Sequence, residues 1–251
     1  MKRFWGFYSN GAYSVGCNGA TVYIYDNAGN ELKKFRDFPN AGRAAFLPNS
    51  NIIAVKSNAG YLGFYDLDKL ALIRKHKVSK DGPEDGGFAF SADGRFFYNI
   101  ETNGLSVRTK MSIYETAGFS KVNTLFADDE KMVLDHLEID PASGTCYVSG
   151  FLRRREGNDD FAAIFDQKAL CIRDIRVIDH KTYEYLCEYK NWELSGFTDR
   201  MTPRFFAIDW MKDLQELGSD GLLKKLLAID ANPKLVGTIP PISIKEVFEK
   251  Y

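Results

Sequence analysis

A short strand-like pattern that ends in an aromatic residue and then an acid occurs four times along the chain. The copies lie at residues 22–26, 62–66, 111–115 and 162–166 and read VYIYD, LGFYD, MSIYE and AAIFD. A polar turn and a further apolar run follow each copy. A repeat of this kind constrains the fold more than local propensity does, because every unit must build the same supersecondary structure.

The spacing of the four copies indicates the type of repeat. The closing acids are Asp26, Asp66, Glu115 and Asp166, so the intervals are 66 − 26 = 40, 115 − 66 = 49 and 166 − 115 = 51 residues. Intervals near 40 to 50 residues are typical of four-stranded propeller blades. Asn, Asp and Gly occupy the turns between the apolar runs, where tight hairpins need a positive φ.

The pattern predicts a mainly β protein over residues 1–178. No helical periodicity interrupts residues 4 to about 178, which excludes a doubly wound α/β fold for this part. We expect a β-propeller of four-stranded antiparallel blades, of which four are readable and more are allowed. A sandwich could also be built from hairpins, but it would not need one four-strand order at near-constant spacing.

The repeat stops after residue 178, and residues 179–251 form a second predicted region of mixed α and β structure. Helices are predicted at 209–217 and 220–229, strands at 205–208 and 235–239, and a short terminal helix begins at the capping box Ser243-Ile244-Lys245-Glu246. This region either supplies one or two degenerate blades or caps an open sheet edge, which would otherwise invite strand addition.

Charge and hydropathy limit the classes of partner. The chain has 251 residues and a formal net charge of −1, so the usual electrostatic reason to expect nucleic acid or an anionic membrane as the main partner is missing. No run of about 18 apolar residues predicts a membrane span, and no signal-peptide stretch follows the first residues. We therefore expect a cytoplasmic protein.

The four cysteines support the same expectation. None belongs to a CxxC pair, and each lies in an apolar or strand-like run. Buried, reduced thiols are therefore favoured over disulfides. The four residues are Cys17, Cys146, Cys171 and Cys187.

These features resemble the β-propeller repeats of the WD-repeat and YVTN type over residues 4 to about 178. The resemblance depends on the aromatic-acid ending of each third strand, where WD repeats place Trp-Asp, and on the spacing of the turns. No unit here ends in Trp-Asp and no Gly-His pair precedes the units, so the hydrogen-bond network of true WD repeats is not carried over. The resemblance implies that the turns after second strands and the turns between blades share one face, usually the binding face.

That implied face carries an arginine run beside acidic turns. In the fourth unit the connection between the second and third strands is predicted to be longer, at about 153–160, and it contains Arg153, Arg154 and Arg155. Guanidinium groups pair well with carboxylate or phosphate. The acidic turns contribute the remaining candidates for binding another protein, namely Asp81, Glu84, Asp85, Asp128 and Asp129. The alternative is a solvated hairpin tip, since charge runs usually lie in water.

The sequence contains no recognisable catalytic motif, so no catalytic residue, metal ligand or cofactor is predicted. GxSxG, HExxH, a P-loop and a GxGxxG followed by a helix are all missing from the chain. His76 and His180 fall near the ends of fourth strands, which favours structural or surface roles. The repeated acids are expected to cap turns, and the aromatic residues before them are expected to pack between blades.

Three interpretations of the function remain open from the sequence. The first is a non-catalytic protein-interaction scaffold, which needs only a rigid propeller with variable loops. The alternative is a small-ligand or metal-dependent propeller enzyme or sensor with its site in the central channel. A third interpretation assigns partner docking to the C-terminal helices through Trp210, Leu214 and Phe248, although such amphipathic stripes more often pack on their own core.

Overall fold

A computed structural model describes residues 4, 6–78, 86–103, 108–139, 144–178, 180, 216, 217, 221 and 224 of the chain. Within these residues the chain forms sixteen β-strands. In chain order they are β1 Gly6–Ser9, β2 Tyr13–Cys17, β3 Val22–Asp26, β4 Glu31–Phe35, β5 Ala41–Phe46, β6 Ile52–Ser57, β7 Tyr61–Asp66, β8 Ala71–Lys77, β9 Phe88–Phe90, β10 Phe96–Asn103, β11 Arg108–Glu115, β12 Ser120–Leu125, β13 Met132–Ile139, β14 Cys146–Arg154, β15 Gly157–Asp166 and β16 Cys171–Ile178.

The strands assemble into four antiparallel sheets, each built from four consecutive strands in chain order. The first sheet is β1–β4, the second β5–β8, the third β9–β12 and the fourth β13–β16. This confirms the mainly β class and the four-strand unit that the repeat predicts. No closed barrel or propeller is detected among the described residues, so the propeller stays a prediction.

Neighbouring sheets contact each other mainly through their first strands. β5 packs against β1 and β2 of the first sheet and against β9 of the third, while β13 packs against β9, β10 and β11. Within each sheet, the fourth strand therefore lies farthest from these contacts between sheets. The first strands lie inside the assembly, and the fourth strands form its outer edges.

The central strands of the third sheet are buried on both faces. Phe97, on β10, packs with Phe64 of the second sheet, whereas the adjacent Tyr98 and Ile100 belong to a cluster with Phe161 of the fourth sheet. Because successive side chains along a strand point to opposite faces, one face of the third sheet packs on the second sheet and the other face packs on the fourth. Polar residues in these strands can therefore be buried as completely as the apolar ones.

Every fourth strand carries a β-bulge where it pairs with the third strand. The register shifts beside the aromatic residue of the repeat in the first three sheets and near Ala162 in the fourth. An exposed aliphatic side chain lies in each bulged stretch, and the four residues are Leu32, Ile73, Val122 and Ile175. Bulges at sheet edges interrupt regular pairing and so disfavour edge-to-edge aggregation.

The repeated acids cap the turns between the third and fourth strands. The Asp26 carboxylate accepts hydrogen bonds from the N–H groups of Ala28 and Asn30. Asp66 accepts one from the N–H of Lys69, and Asp166 accepts two, at 3.0 Å each, from the two residues at 168 and 169. The predicted structural role is thus confirmed for these three acids.

Three of the four aromatic residues before the acids pack between sheets as predicted, whereas Tyr25 contacts Phe4, which precedes the first strand of its own unit. Tyr65, Tyr114 and Phe165 are buried, and Tyr25 is half-buried with its ring 6.3 Å from that of Phe4. Aromatic side chains of this size contribute much of the apolar area that holds packed sheets together. The repeat therefore marks the packed end of each third strand.

Turn-capping carboxylates make the fold sensitive to acid. Asp93 accepts hydrogen bonds from the Ser91 hydroxyl and the N–H of Arg95, and these bonds lower the pKa of Asp93 to about 2. An unfolded Asp has a pKa of about 3.9, so the charged form stabilises the fold above that pH. The stabilisation by the charged Asp93 carboxylate is lost as the pH falls from about 4 to about 2.

We expect the melting temperature to fall between pH 4 and pH 2, and to fall less steeply in Asp93→Asn than in the natural chain. The variant lacks the titrating carboxyl group, so it is less stable than the natural chain at neutral pH. Its stability therefore decreases less when the pH is lowered. Calorimetry over this pH range measures the effect, with Asp128→Asn as a control in an exposed loop. If the melting temperatures of Asp93→Asn and of the natural chain fall in parallel with pH, the stabilising role of the charged Asp93 is contradicted.

The three described cysteines are free thiols, as predicted, but the predicted burial is confirmed at two positions and wrong at one. Cys17 and Cys146 are buried, and burial raises the pKa of the Cys17 thiol to about 12. Cys171 is exposed because it begins the outer strand β16. Cys187 lies outside the described residues.

The structure describes four residues of the two helices predicted at 209–217 and 220–229, and all four are helical. They are Glu216, Leu217, Gly221 and Lys224. The predicted strands at 205–208 and 235–239, the terminal helix and the remaining helical positions lie outside the described residues. No helix within the described part of the chain has the length and apolar character needed to cross a bilayer.

Candidate functional site

The arginine run lies on a hairpin of the fourth sheet. The sequence suggested a long connection at about 153–160, but β14 continues to Arg154 and β15 begins at Gly157. Only Arg155 and Glu156 form the turn. The prediction of a long loop is wrong because Arg153 pairs with Asn158 in continued antiparallel register.

This hairpin extends past its neighbouring strands. β13 pairs with β14 only as far as Leu152, and β16 pairs with β15 only from Asp160 onward. The β14–β15 pairing continues to Arg154 and Gly157. The tip is therefore a two-stranded projection. Residues 154–158 in it are all exposed.

The three arginines differ in their surroundings. The N–H of Arg153 donates to the carbonyl of Lys131 at 2.7 Å, which ties the hairpin to the start of β13. Arg154 Nε lies 2.6 Å from Asp159 Oδ2 across the hairpin. Arg155 lies in the turn and is exposed. Arg154 and Arg155 thus direct charge to the surface of the projecting tip.

The loop before β13 brings acidic residues to the same end of the sheet. Asp129 Oδ1 accepts hydrogen bonds from the N–H groups of Lys131 and Met132, so this carboxylate holds the loop in shape. Asp128 is exposed beside it. Glu130 forms an ion pair with Arg108 at the start of β11. Of the predicted acids, Asp128 and Asp129 therefore lie near the hairpin.

The other predicted acidic residues, Asp81, Glu84 and Asp85, lie outside the described residues. The candidate surface thus consists of the hairpin tip at residues 153–159 and the loop at 126–131, which the Arg153–Lys131 hydrogen bond joins. Its exposed side chains offer guanidinium and carboxylate groups to a partner.

A second group of polar side chains, which the sequence did not indicate, lies between the second and third sheets. Glu101 on β10 is only 2% exposed. Its Oε1 accepts hydrogen bonds from the Tyr114 hydroxyl at 3.1 Å and from the Asn99 amide at 3.4 Å. Lys110 Nζ lies 3.1 Å and Lys121 Nζ 4.0 Å from Oε2. The lysines compensate a carboxylate whose burial alone would be costly.

This buried cluster still contains two oxygens without a hydrogen bond. They are Asn99 Oδ1 and Glu101 Oε2, the latter being close enough to Lys110 for an ion pair but without hydrogen-bonding geometry. His76 borders the cluster, with its ring 5.1 Å from that of Tyr114, and burial lowers the pKa of His76. A donor such as water would satisfy both acceptors.

The histidines are dispersed over the described structure. His76 Nε2 lies 2.8 Å from the Phe119 carbonyl oxygen, and His180 Nδ1 lies 2.6 Å from Asp160 Oδ2. His136 is on β13. Within the described ranges, no three His, Cys, Asp or Glu side chains are grouped so that they could hold a metal ion.

No model of a protein family matches the chain, and no curated protein sequence matches it. The resemblance to WD and YVTN repeats therefore remains a similarity of pattern.

Proposed function

We propose that the chain is a non-catalytic protein-interaction scaffold of the β-propeller type. Four sheets of consecutive strands contact one another through their first strands, as blades around a common axis would. Their central strands are buried, which suits a rigid support. Rigid sheets that present variable connections are a common basis for binding.

The observation that carries this proposal is the projecting β14–β15 hairpin. The four units share their strand order, but β14 and β15 are nine and ten residues long, whereas β2 and β3 are five residues each. The additional length holds exposed arginines beyond the paired sheet. The third unit also has a long hairpin, in which β10 and β11 are eight residues each, so the fourth unit is distinguished by its run of three arginines.

A second candidate function is favoured by the buried group around Glu101. Under this alternative the chain is a small-ligand sensor, and the ligand donates hydrogen bonds to Asn99 Oδ1 and Glu101 Oε2. The lysines at 110 and 121 are each about 40% exposed, so the group reaches the surface. The scaffold remains the better supported proposal, because the hairpin is exposed and needs no ligand to explain it.

Replacing Arg153, Arg154 and Arg155 together with Ala is expected to abolish capture of the partner. The hairpin would lose its three cationic side chains and the exposed Arg154–Asp159 ion pair, which contributes about 0.5 kcal/mol. The melting temperature should therefore fall by only about 1–2 °C. A photo-crosslinking amino acid at position 155 would identify the partner in native cells.

Two controls accompany this experiment. The Glu156→Ala/Asn158→Ala variant changes the same hairpin but retains all three arginines, and it should still capture the partner. The crosslinker at Arg95, which is exposed in a turn of the third sheet, should not label it. Full binding by the triple-alanine variant would contradict a role for the hairpin.

A further inference from the structure

The outer strand of the second sheet carries two lysines that share one aromatic ring. Lys77 Nζ lies 4.1 Å and Lys75 Nζ 4.6 Å from the centroid of the Tyr61 ring. Phe38 stacks on the same ring with centroids 5.8 Å apart. An aromatic face attracts ammonium groups, so Tyr61 holds two positive charges at one ring.

Backbone carbonyls fix the positions of both ammonium groups. Lys75 Nζ donates to the Asp37 carbonyl at 2.6 Å, and Lys77 Nζ donates to the Ala59 carbonyl at 2.7 Å. An ammonium group has three donors, so each lysine retains donors for a ligand. Both side chains are exposed. The pair is therefore ordered before any ligand binds.

Neither lysine is neutralised by an acidic side chain in the part of the chain that the structure describes. Other lysines there do have such partners: Lys34 lies 2.8 Å from Glu31, and Lys69 lies 2.6 Å from Asp66. Two adjacent ammonium groups without a carboxylate repel each other, and a bound anion would relieve this repulsion. The geometry thus favours an anionic group at Lys75 and Lys77.

The strand that carries these lysines also offers an apolar side chain and an edge that no other described strand covers. β8 is the last strand of the second sheet. Ile73, in its bulge, is 45% exposed, and Arg74 follows it with an exposed side chain. A partner that matches this edge therefore needs negative charge, an aliphatic side chain and a backbone that can run beside a strand.

We propose that the edge formed by Ile73, Arg74, Lys75 and Lys77 binds an extended acidic segment of a partner protein. Its carboxylates pair with the two lysines, and its aliphatic side chains contact Ile73. Extended peptides commonly bind along sheet edges, and because the bulge at Ile73 interrupts regular backbone pairing, side-chain contacts contribute most of the affinity here. The edge and Ile73 favour a peptide over a nucleic acid. This inference rests on the proposed scaffold function and names the chemistry of its partner.

The test uses the full chain and a fluorescein-labelled peptide of alternating glutamate and valine, followed by fluorescence anisotropy. The double variant Lys75→Gln/Lys77→Gln should bind about tenfold or more weakly, because two charge-assisted contacts are lost. Ile73→Ser should weaken binding about threefold by removing the apolar contact. The control Lys33→Gln/Lys168→Gln removes the same charge from other sheets and should leave the affinity within about twofold.

The outcomes separate this inference from the scaffold proposal. Equal binding by the natural chain and the double variant, or no binding of the peptide at all, would overturn the inference. A single-stranded oligonucleotide or inorganic phosphate that binds through the same lysines while the peptide does not would also overturn it. In either case the scaffold proposal stands if the crosslinker at position 155 still captures a protein, and it fails separately if the crosslinker captures none.

Discussion

Replacing Gly150 with Ala is expected to destabilise the protein by at least about 3 kcal/mol. Gly150 lies on β14 opposite Leu134, beside a register shift in the pairing with β13. A Cβ there would overlap the Val133 carbonyl oxygen and lie only 3.0 Å from Leu134 Cα. These are backbone atoms of a paired strand, so no side-chain rotation can relieve the overlap.

Urea unfolding followed by circular dichroism measures this effect. The matched control is Gly118→Ala, whose Cβ would have the Ser120 hydroxyl, at 3.7 Å, as its nearest neighbour. We expect this control to change the stability by no more than about 0.5 kcal/mol. If Gly150→Ala unfolds at the same urea concentration as Gly118→Ala, the backbone of β13 does not approach Gly150 as closely as described.

Replacing Phe64 with Ala should have the second large effect, with a loss of about 3–5 kcal/mol. Phe64 is fully buried in the cluster between the second and third sheets. Its ring lies 4.1 Å from that of Phe119 and 5.2 Å from that of Phe97. Truncation would leave a cavity where two sheets meet, and close-packed surroundings fill such a cavity only in part.

Val122→Ala is the matched control for this variant. Val122 is an exposed aliphatic residue on β12, in the same sheet as Phe97, and its truncation should cost less than about 0.5 kcal/mol. The same urea series measures both variants. Similar unfolding midpoints for Phe64→Ala and Val122→Ala would show that the aromatic cluster does not hold the two sheets together.

Local signals were sufficient to predict the strand order. The aromatic-acid endings mark the third strands, and the turns beside them contain residues suited to hairpins, so the four-strand unit follows from nearby residues alone. The hairpin at 153–160 shows the limit of this reasoning. Gly157-Asn158-Asp159 has the composition of a turn, yet Asn158 pairs with Arg153 because the register of β14 and β15 continues that far.

Burial by a neighbouring sheet could not be predicted in the same way. Asn99 and Glu101 alternate with apolar residues along β10, a pattern typical of a strand with one solvated face. A second sheet covers that face, and the two polar side chains are buried. Lys56 is likewise buried, with its Nζ donating to the Gly86 carbonyl at 2.7 Å. Such contacts join residues far apart in the chain.

The candidate site was predicted in part. The arginine run was found from its charge, but its projection depends on where β13 and β16 stop pairing. The role of Asp129 in holding its own loop depends on hydrogen bonds that charge alone does not indicate. The sequence did not indicate the paired positions of Lys75 and Lys77, because the ring that they share, Tyr61, belongs to another strand.

The construction of every sheet from consecutive strands has a consequence for folding. Each strand pairs with its neighbours in the chain, so a sheet forms by closing short loops, and the entropic cost of each closure is small. Sheets can therefore nucleate separately and then dock in order, as units of repeat proteins do. Hydrogen exchange should accordingly reveal subglobal opening of whole sheets, with protection that differs from one sheet to the next.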